Sequence, residues 1–401
     1  MIDLSLDAGF MNVLRILRFF GRKHIRPADL EADRSGDPLP VDHKLFTDFN
    51  AMNLSFGLRN VGKKPSGPQD GPGRTARASI IAAEELAFWG QGATMALPGA
   101  GLGGPPVGLL GTDDQKRRFL EAPFKDKSKP AWGAYATTEP GCGSDVARIR
   151  TTAQKDGDHW ILNGEKMFIT NGARASWVVI FATVDPSAGR AGQRAFVVEK
   201  GTPGFSVGRI EKKMGLTASE TAGLVLEDVR VPDANLLGRK EGSKGKAGFK
   251  VAMATFDLTR PMVAMMAIGI GRSAWERARD VAAEAFGARP KSAHEILLLD
   301  RLAAAKRELD TARLLCWRAA WKMDHRQTNT VEASMAKVYS PKAALSAIST
   351  AVDVVGLAGV RNEQFVEKCF RDIKVFDIFE GTGQVQNIVL ARRLLDYPST
   401  G

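Results

Sequence analysis

The feature that most constrains this chain is a change of hydrophobic period, made twice. Up to about residue 125 the apolar residues recur with helical spacing, as in Ile80–Trp89 (IIAAEELAFW), which holds no breaker. From about Pro130 to Gly238 the period becomes two. Trp177–Thr183 is a short continuous apolar run, consistent with a buried strand. Arg194–Val198 and Gly223–Val231 follow, with turn signals at Asp185-Pro186 and Gly201–Gly204. From about Ala247 the helical period returns. Leu302, Ala305, Leu309, Ala312, Cys316, Ala319 and Met323 step by three and four, a seam for helix-on-helix packing. Val385, Ile388 and Val389 continue the theme. The order predicts an α+β multidomain chain: an N-terminal helical domain (1–129), a central antiparallel β-barrel or sandwich (130–242) and a C-terminal helical bundle (243–401). A length of 401 residues suits two or three such domains with a large core.

Composition narrows the function classes. Apolar residues make up 44 %, which marks a globular chain. Apolar runs fall short of the 18 or more residues that span a bilayer, so no membrane span is expected. Asp3 and Asp7 precede the apolar part of the N-terminus, and no small-residue cleavage site follows, so a signal peptide is not expected. Three cysteines without paired spacing read as free thiols in a reducing, cytoplasmic compartment. Five scattered histidines argue against a metal site. The net charge of +11 admits nucleic acid as a partner. However, the densest basic groups, Arg22–Arg26 and Lys244–Lys250, are short and lack regular aromatic spacing, so a solvated basic surface is expected instead.

Within the β region, Ala134–Asn171 carries the densest chemistry. Tyr135-Ala136-Thr137-Thr138 leads through Glu139-Pro140 into the bare loop Gly141-Cys142-Gly143-Ser144-Asp145, which suits close approach of a large polar ligand. His159–Leu162 and Lys166–Thr170 read as two strands joined by a hairpin at Asn163-Gly164. Phe168 and Thr170 then share one strand face, an apolar ring beside a hydroxyl, as the edge of a flat heteroaromatic cofactor requires. A half-buried hairpin with a polar rim would present the same pattern. Gly99–Gly104 matches GxGxxG, but Pro105-Pro106 should block the helix that a dinucleotide site needs there. Two stretches, Arg34–Pro40 and Lys63–Arg77, read as loops interrupting the N-terminal helices.

Far downstream stands Arg371-Asp-Ile-Lys-Val-Phe-Asp-Ile-Phe-Glu380-Gly381-Thr382-Gly-Gln384-Val-Gln386. TEPGxGSD followed by RDxKxxxIxEGTxQxQ resembles the acyl-CoA dehydrogenase family, and the resemblance runs the length of the chain. It implies the helical, β, helical order already read, and α,β-dehydrogenation of an acyl-CoA thioester to the trans-2-enoyl-CoA. FAD is the implied cofactor, accepting hydride at N5, because no side chain accepts one. An electron-transfer flavoprotein is the implied acceptor and a homodimer or homotetramer the implied assembly. A flavin oxidase of the same fold and a non-catalytic, weakly FAD-binding partner subunit are the alternatives.

The resemblance places the α-proton base at Glu380. The segment alone also allows an ordinary carboxylate ahead of a helix N-terminus. Some family members carry the base on an earlier helix, at the position of Thr259 here, which cannot serve. Tyr135, Thr137, Thr138, Phe168, Thr170, Thr382 and Gln384 match cofactor-binding positions, with Phe168 standing where Trp is usual. Ser144, Asp257, Arg260 and Gly381 match substrate-binding positions. Met265 and Met266, on the helix bordering the family's acyl pocket, could shorten it or be core. The chain departs from the pattern at Ala283, Ile296 and Asp353, where relatives carry an Arg and two Gln residues that hold FAD. Arg289 and Lys291 are candidate substitutes.

Overall fold

The computed structural model describes residues 8–52, 75–238, 247–287, 292–361 and 364–397, with the side chains of 247–255 excepted. Arg289 and Lys291 lie outside them. The N-terminal helices are α1 (Ala8–Phe20), α2 (Arg26–Ser35), α3 (Lys44–Ala51), α4 (Thr75–Ala96), α5 (Gly104–Leu110) and α6 (Asp113–Lys116). A π-helical turn, Gly21–Ile25, joins α1 to α2, and Gly36 ends α2 at φ 77°. Helix α4 is broken at Gly90, where the carboxylate of Asp29 accepts the Ala93 N–H at 2.7 Å. That carboxylate supplies the partner which the break removes.

Two expectations for this region need correction. Thr75–Arg77, read as loop, form the first turn of α4. Arg77 is drawn into the fold by Asp324, which pairs with its Nε at 2.9 Å and also accepts the N–H of Ala76. Pro105-Pro106 do not block a helix; they occupy the first turn of α5. There the missing N–H has no intrahelical partner to lose. The preceding glycines serve close packing, since a Cβ on Gly103 would stand 2.5 Å from the Ala134 carbonyl oxygen.

The β region forms β1 (Gly133–Ala136), β2 (Thr152–Asp156), β3 (His159–Thr170), β4 (Trp177–Thr183), β5 (Gln193–Glu199), β6 (Phe205–Ile210) and β7 (Thr221–Pro232). The order is β1-β4-β2-β3-β7-β6, with β5 on the other side of β4. Every residue of β4 is buried, as its unbroken apolar run predicts. The sheet is mixed: β1 and β2 pair in parallel with β4, while β2–β3, β3–β7, β4–β5 and β6–β7 are antiparallel.

The hairpin expected at Asn163-Gly164 is not there. β3 runs straight through it for 12 residues. Gly164, at φ 145°, marks a bulge against β7, where a Cβ would meet Thr151 Cα at 2.7 Å. The real turn is Gly157-Asp158, between Asp156 and His159. Gly157-Asp158, with Gly first at φ 56°, is a two-residue hairpin signal of its own. Both flanks of Asn163-Gly164 pair with β7 as one strand, so tertiary pairing decides between the two.

The C-terminal helices are α7 (Ala247–Phe286), α8 (Ala293–Asp324), α9 (Thr330–Val355), α10 (Val366–Ile373) and α11 (Gly383–Leu394). The predicted seam of α8 is buried from Leu302 to Ala319, with Met323 half-buried beyond it. Helix α9 is apolar enough over its length to match a membrane span by composition. Here it packs between α7, α8 and α11 and buries Lys337. Helix α4 crosses onto α7 and α8, so Ile80, Ile81 and Ala83 share one core with Met265, Ile268 and Leu309.

Candidate active site

A cavity of about 1480 Å³ lies where the β sheet meets α4, α7 and the segment before α11. That exceeds the roughly 300–1,000 Å³ of a single small-molecule pocket. It has room for two ligands side by side.

The sheet side is built from the TEP stretch. Tyr135, Thr137, Thr138, Phe168 and Thr170 all line the cavity, and Ser144 stands exposed on its rim. Behind them Lys166, on β3, is fully buried and pairs with Glu139 at 2.7 Å. Glu139 also accepts from the N–H groups of Arg150 and Thr151 and from the Thr151 hydroxyl, at 2.6–3.0 Å. Burial works against its charge, but Lys166 and these donors outweigh it and hold its carboxyl below the usual range. The stretch before the glycine loop is therefore pinned by one ion pair. A second bulge in β3 gives Phe168 a φ of 59° and leaves it 57 % exposed at the cavity edge. Asn171, at φ 58°, ties the end of β3 to the Met95 carbonyl at 3.0 Å.

The helical side carries the charged groups. Arg260 is buried on α7 and pairs with Asp257 at 2.8 Å; Asp257 in turn accepts from the Thr330 hydroxyl at 2.8 Å. Glu380 sits at φ 54° and Gly381 at φ 93°. A side-chain-bearing residue in that region is strained, and such strain gathers at functional sites. The Glu380 carboxylate accepts a hydrogen bond from the Thr259 hydroxyl at 2.7 Å. The surface it retains faces the cavity rather than bulk solvent. Burial pushes its pKa above the ordinary carboxylate value; Thr259, Lys337 and Arg260 pull the other way without cancelling it. Thr382 caps α11 by accepting the Val385 N–H at 3.2 Å.

The structure thus brings Tyr135, Thr137, Thr138, Ser144, Phe168, Thr170, Asp257, Arg260, Glu380, Gly381 and Thr382 to one cavity. It does not bring Gln384 there: that side chain is exposed on α11, and Gln386 turns inward instead. Met265 is buried core, while Met262 and Met266 line the cavity. Among the departures, Ala283 and Ile296 are exposed, and Asp353 accepts from Arg301 at 2.6 Å. Sequence reasoning missed Lys166, Lys337 and the bonding role of Thr259. A lone Lys inside the small, apolar run around Ala336 was the available signal for Lys337.

A carboxylate of raised proton affinity facing a large cavity between a sheet and a helical bundle fits a cofactor-dependent oxidoreductase. Family models describe residues 134–229 as the acyl-CoA dehydrogenase middle domain and 246–395 as the acyl-CoA dehydrogenase C-terminal domain. The chain is 34 % identical to cyclohexane-1-carbonyl-CoA dehydrogenase of Syntrophus aciditrophicus, over 94 % of each chain. It is 39 % identical to the mitochondrial short-chain specific acyl-CoA dehydrogenase of Rattus norvegicus, over 72 % of this chain and 68 % of that one. The structure of butyryl-CoA dehydrogenase from Megasphaera elsdenii superposes with a TM-score of 0.86 at 34 % identity, covering 98 % of this chain and 100 % of that one. This chain belongs to the acyl-CoA dehydrogenase family and is an enzyme.

Its cofactor is FAD, and the cavity fits it. The hydroxyls of Tyr135 and Thr137 are buried in the cavity wall, and among the described residues neither makes a well-formed hydrogen bond. Buried polar groups are rarely left so. A flat, polar-edged ring system such as the flavin would supply their partners.

Proposed function

We propose that the enzyme converts an acyl-CoA thioester to the trans-2-enoyl-CoA, with Glu380 as the base that removes the α-proton. One observation carries this reading: a carboxylate of raised proton affinity, held by a strained turn, facing a cavity large enough for cofactor and acyl chain together. An α-proton is far too weakly acidic for a solvated carboxylate, so the base must work where water is excluded. Thr259 orients the carboxylate. Arg260 and Asp257 hold the cavity mouth on the α7 side, and Ser144 marks the rim where the CoA portion would enter. FAD, when bound, supplies the hydride acceptor, with Tyr135, Thr137, Thr138, Phe168, Thr170 and Thr382 as its contacts. Electron-transfer flavoprotein is the proposed acceptor, and the exposed edge at Phe168 supports delivery to a protein partner. Ile388, Leu394, Leu395 and Tyr397, each more than half exposed on or just after α11, support self-association as a homodimer or homotetramer. A cytoplasmic setting fits the three free thiols, all buried.

Anaerobic addition of butyryl-, octanoyl- or palmitoyl-CoA to the FAD-loaded protein should bleach the visible flavin band. A band that none of these thioesters bleaches would remove the proposal.

A further inference from the structure

Lys337 is fully buried on α9, in a run of small and apolar residues. A buried ammonium without a carboxylate in contact is costly, because burial disfavours the charged form. Its hydrogen bonds go instead to main-chain carbonyls. It donates to the Phe376 carbonyl and, at a longer 3.5 Å, to the Gly381 carbonyl. Those two carbonyls stand on either side of Glu380. Between them the chain makes the left-handed step at φ 54° and φ 93°. The charged groups facing Lys337 are Glu380 and Asp377 from the same segment and Arg260 from α7. Glu380 itself faces Lys337 from α9, Arg260 and Thr259 from α7 and Tyr135 from β1.

We infer that Lys337 is a positioning residue for the base: it clamps the strained turn from both sides, so that the Glu380 carboxylate projects onto the Thr259 hydroxyl and into the cavity, and its charge favours the ionised carboxylate. This rests on the reading of Glu380 as the base. Two separate properties of the ammonium are used. Its N–H groups hold the turn, and its charge lowers the proton affinity that burial raises. Burial pushes Lys337 down to about 8, so the charge is present at neutral pH and is lost above it.

The two properties come apart in Lys337→Met and Lys337→Gln. The readout is the rate of flavin reduction against pH, on FAD-loaded protein, with whichever of butyryl-, octanoyl- or palmitoyl-CoA reduces the unaltered enzyme fastest. Lys337→Met loses the clamp and the charge. Its rate at neutral pH should fall on the order of tenfold to a hundredfold, as displacement of a catalytic group does. Its acid limb should move to higher pH. Lys337→Gln keeps an N–H for the carbonyls and should recover most of the rate at high pH with its limb still displaced. An acid limb left where the unaltered enzyme has it, in both variants, overturns the inference whatever happens to stability. If neither variant folds, the ammonium is followed directly: its titration, read from the 15N resonance of Lys337 Nζ, should move to lower pH in Glu380→Gln, and a titration unmoved by that substitution overturns the inference. Glu380→Gln is run beside them. Retained reduction there removes the base itself, whereas loss there with unmoved limbs in the Lys337 variants removes only the clamp.

Discussion

On the sheet side of the cavity, Tyr135, Thr137, Thr138 and Thr170 are presented by strand register, and each stands on ordinary strand backbone or just beyond it. Their support is a compact ion pair, Lys166 with Glu139, set behind the wall. On the helical side, Glu380 is presented by a left-handed turn, and its support is a cation shared between carbonyls and charges at a distance. The sheet side keeps its ion pair behind the wall. The helical side turns a carboxylate toward the cavity. A cofactor that stays through many turnovers is suited by the first, and a proton that must leave and return is suited by the second.

Glu380→Gln is the change expected to break this contrast most severely. It keeps the shape of the turn and removes the carboxylate, and the rate of flavin reduction should fall by roughly 10²–10⁴-fold. On the proposed mechanism the ionised carboxylate is the active form in the unaltered enzyme. Because burial raises its pKa, the rate should climb with pH through a midpoint above the ordinary carboxylate range. A midpoint at or below that range would show that the cavity does not strengthen the base.

Lys166→Met tests the sheet side in a different currency. It leaves the Glu139 carboxylate buried without its cation, which typically costs about 3–5 kcal/mol. Denaturant unfolding followed by tryptophan fluorescence should show that loss. The flavin reduction rate per bound FAD should change far less than in Glu380→Gln. An equal collapse of both quantities would mean that the two sides of the cavity are not independent.

Gly164→Ala probes the bulge that lets β3 pass without turning. The backbone there is left-handed and the added methyl would press on Thr151. A destabilisation of about 1–3 kcal/mol is expected. Stability equal to the parent would show that the bulge relaxes freely. The mildest change is Thr170→Val, which keeps the β-branched shape that strands favour. Removing one neutral hydrogen bond to the cofactor is worth about 0.5–1.5 kcal/mol, or roughly tenfold at most in reduction rate. Reduction kinetics identical to the parent would make Thr170 a strand residue only.

The two sides also differ in how far they could be read before the structure. The helical, β, helical order, the buried β4 and the seam of α8 follow from periodicity, because burial on one face is what spacing records. Asn163-Gly164 shows the limit: a dipeptide carries a turn preference, and whether β7 pairs with both of its flanks is a property of residues sixty positions away. The parallel pairing of β1 with β4 is equally non-local. In the site, Glu380 was legible because the motif around it is long. Thr259 was read only as an unsuitable base, whereas its hydroxyl donates a hydrogen bond to the Glu380 carboxylate. Lys337 carries no motif, and its partners are main-chain carbonyls, which no sequence pattern names.

The core that α4 shares with α7 and α8 bears on the order in which the molecule can assemble. Ile80, Ile81 and Ala83 emerge during synthesis before a single β strand has been made. Their partners Met265, Ile268 and Leu309 appear only after the last. The sheet draws its own core from residues between Ala134 and Val231, so it closes with segments already at hand. An emerging chain can therefore finish its sheet while the apolar face of α4 still waits for its cover. Long-range closure of that kind is slow and leaves an adhesive surface open in the meantime. Pulse-labelled hydrogen exchange during refolding should protect the amides of Val178 and Val197 before those of Ile81 and Ala83. Simultaneous protection of both sets would mean that helices and sheet condense as one unit.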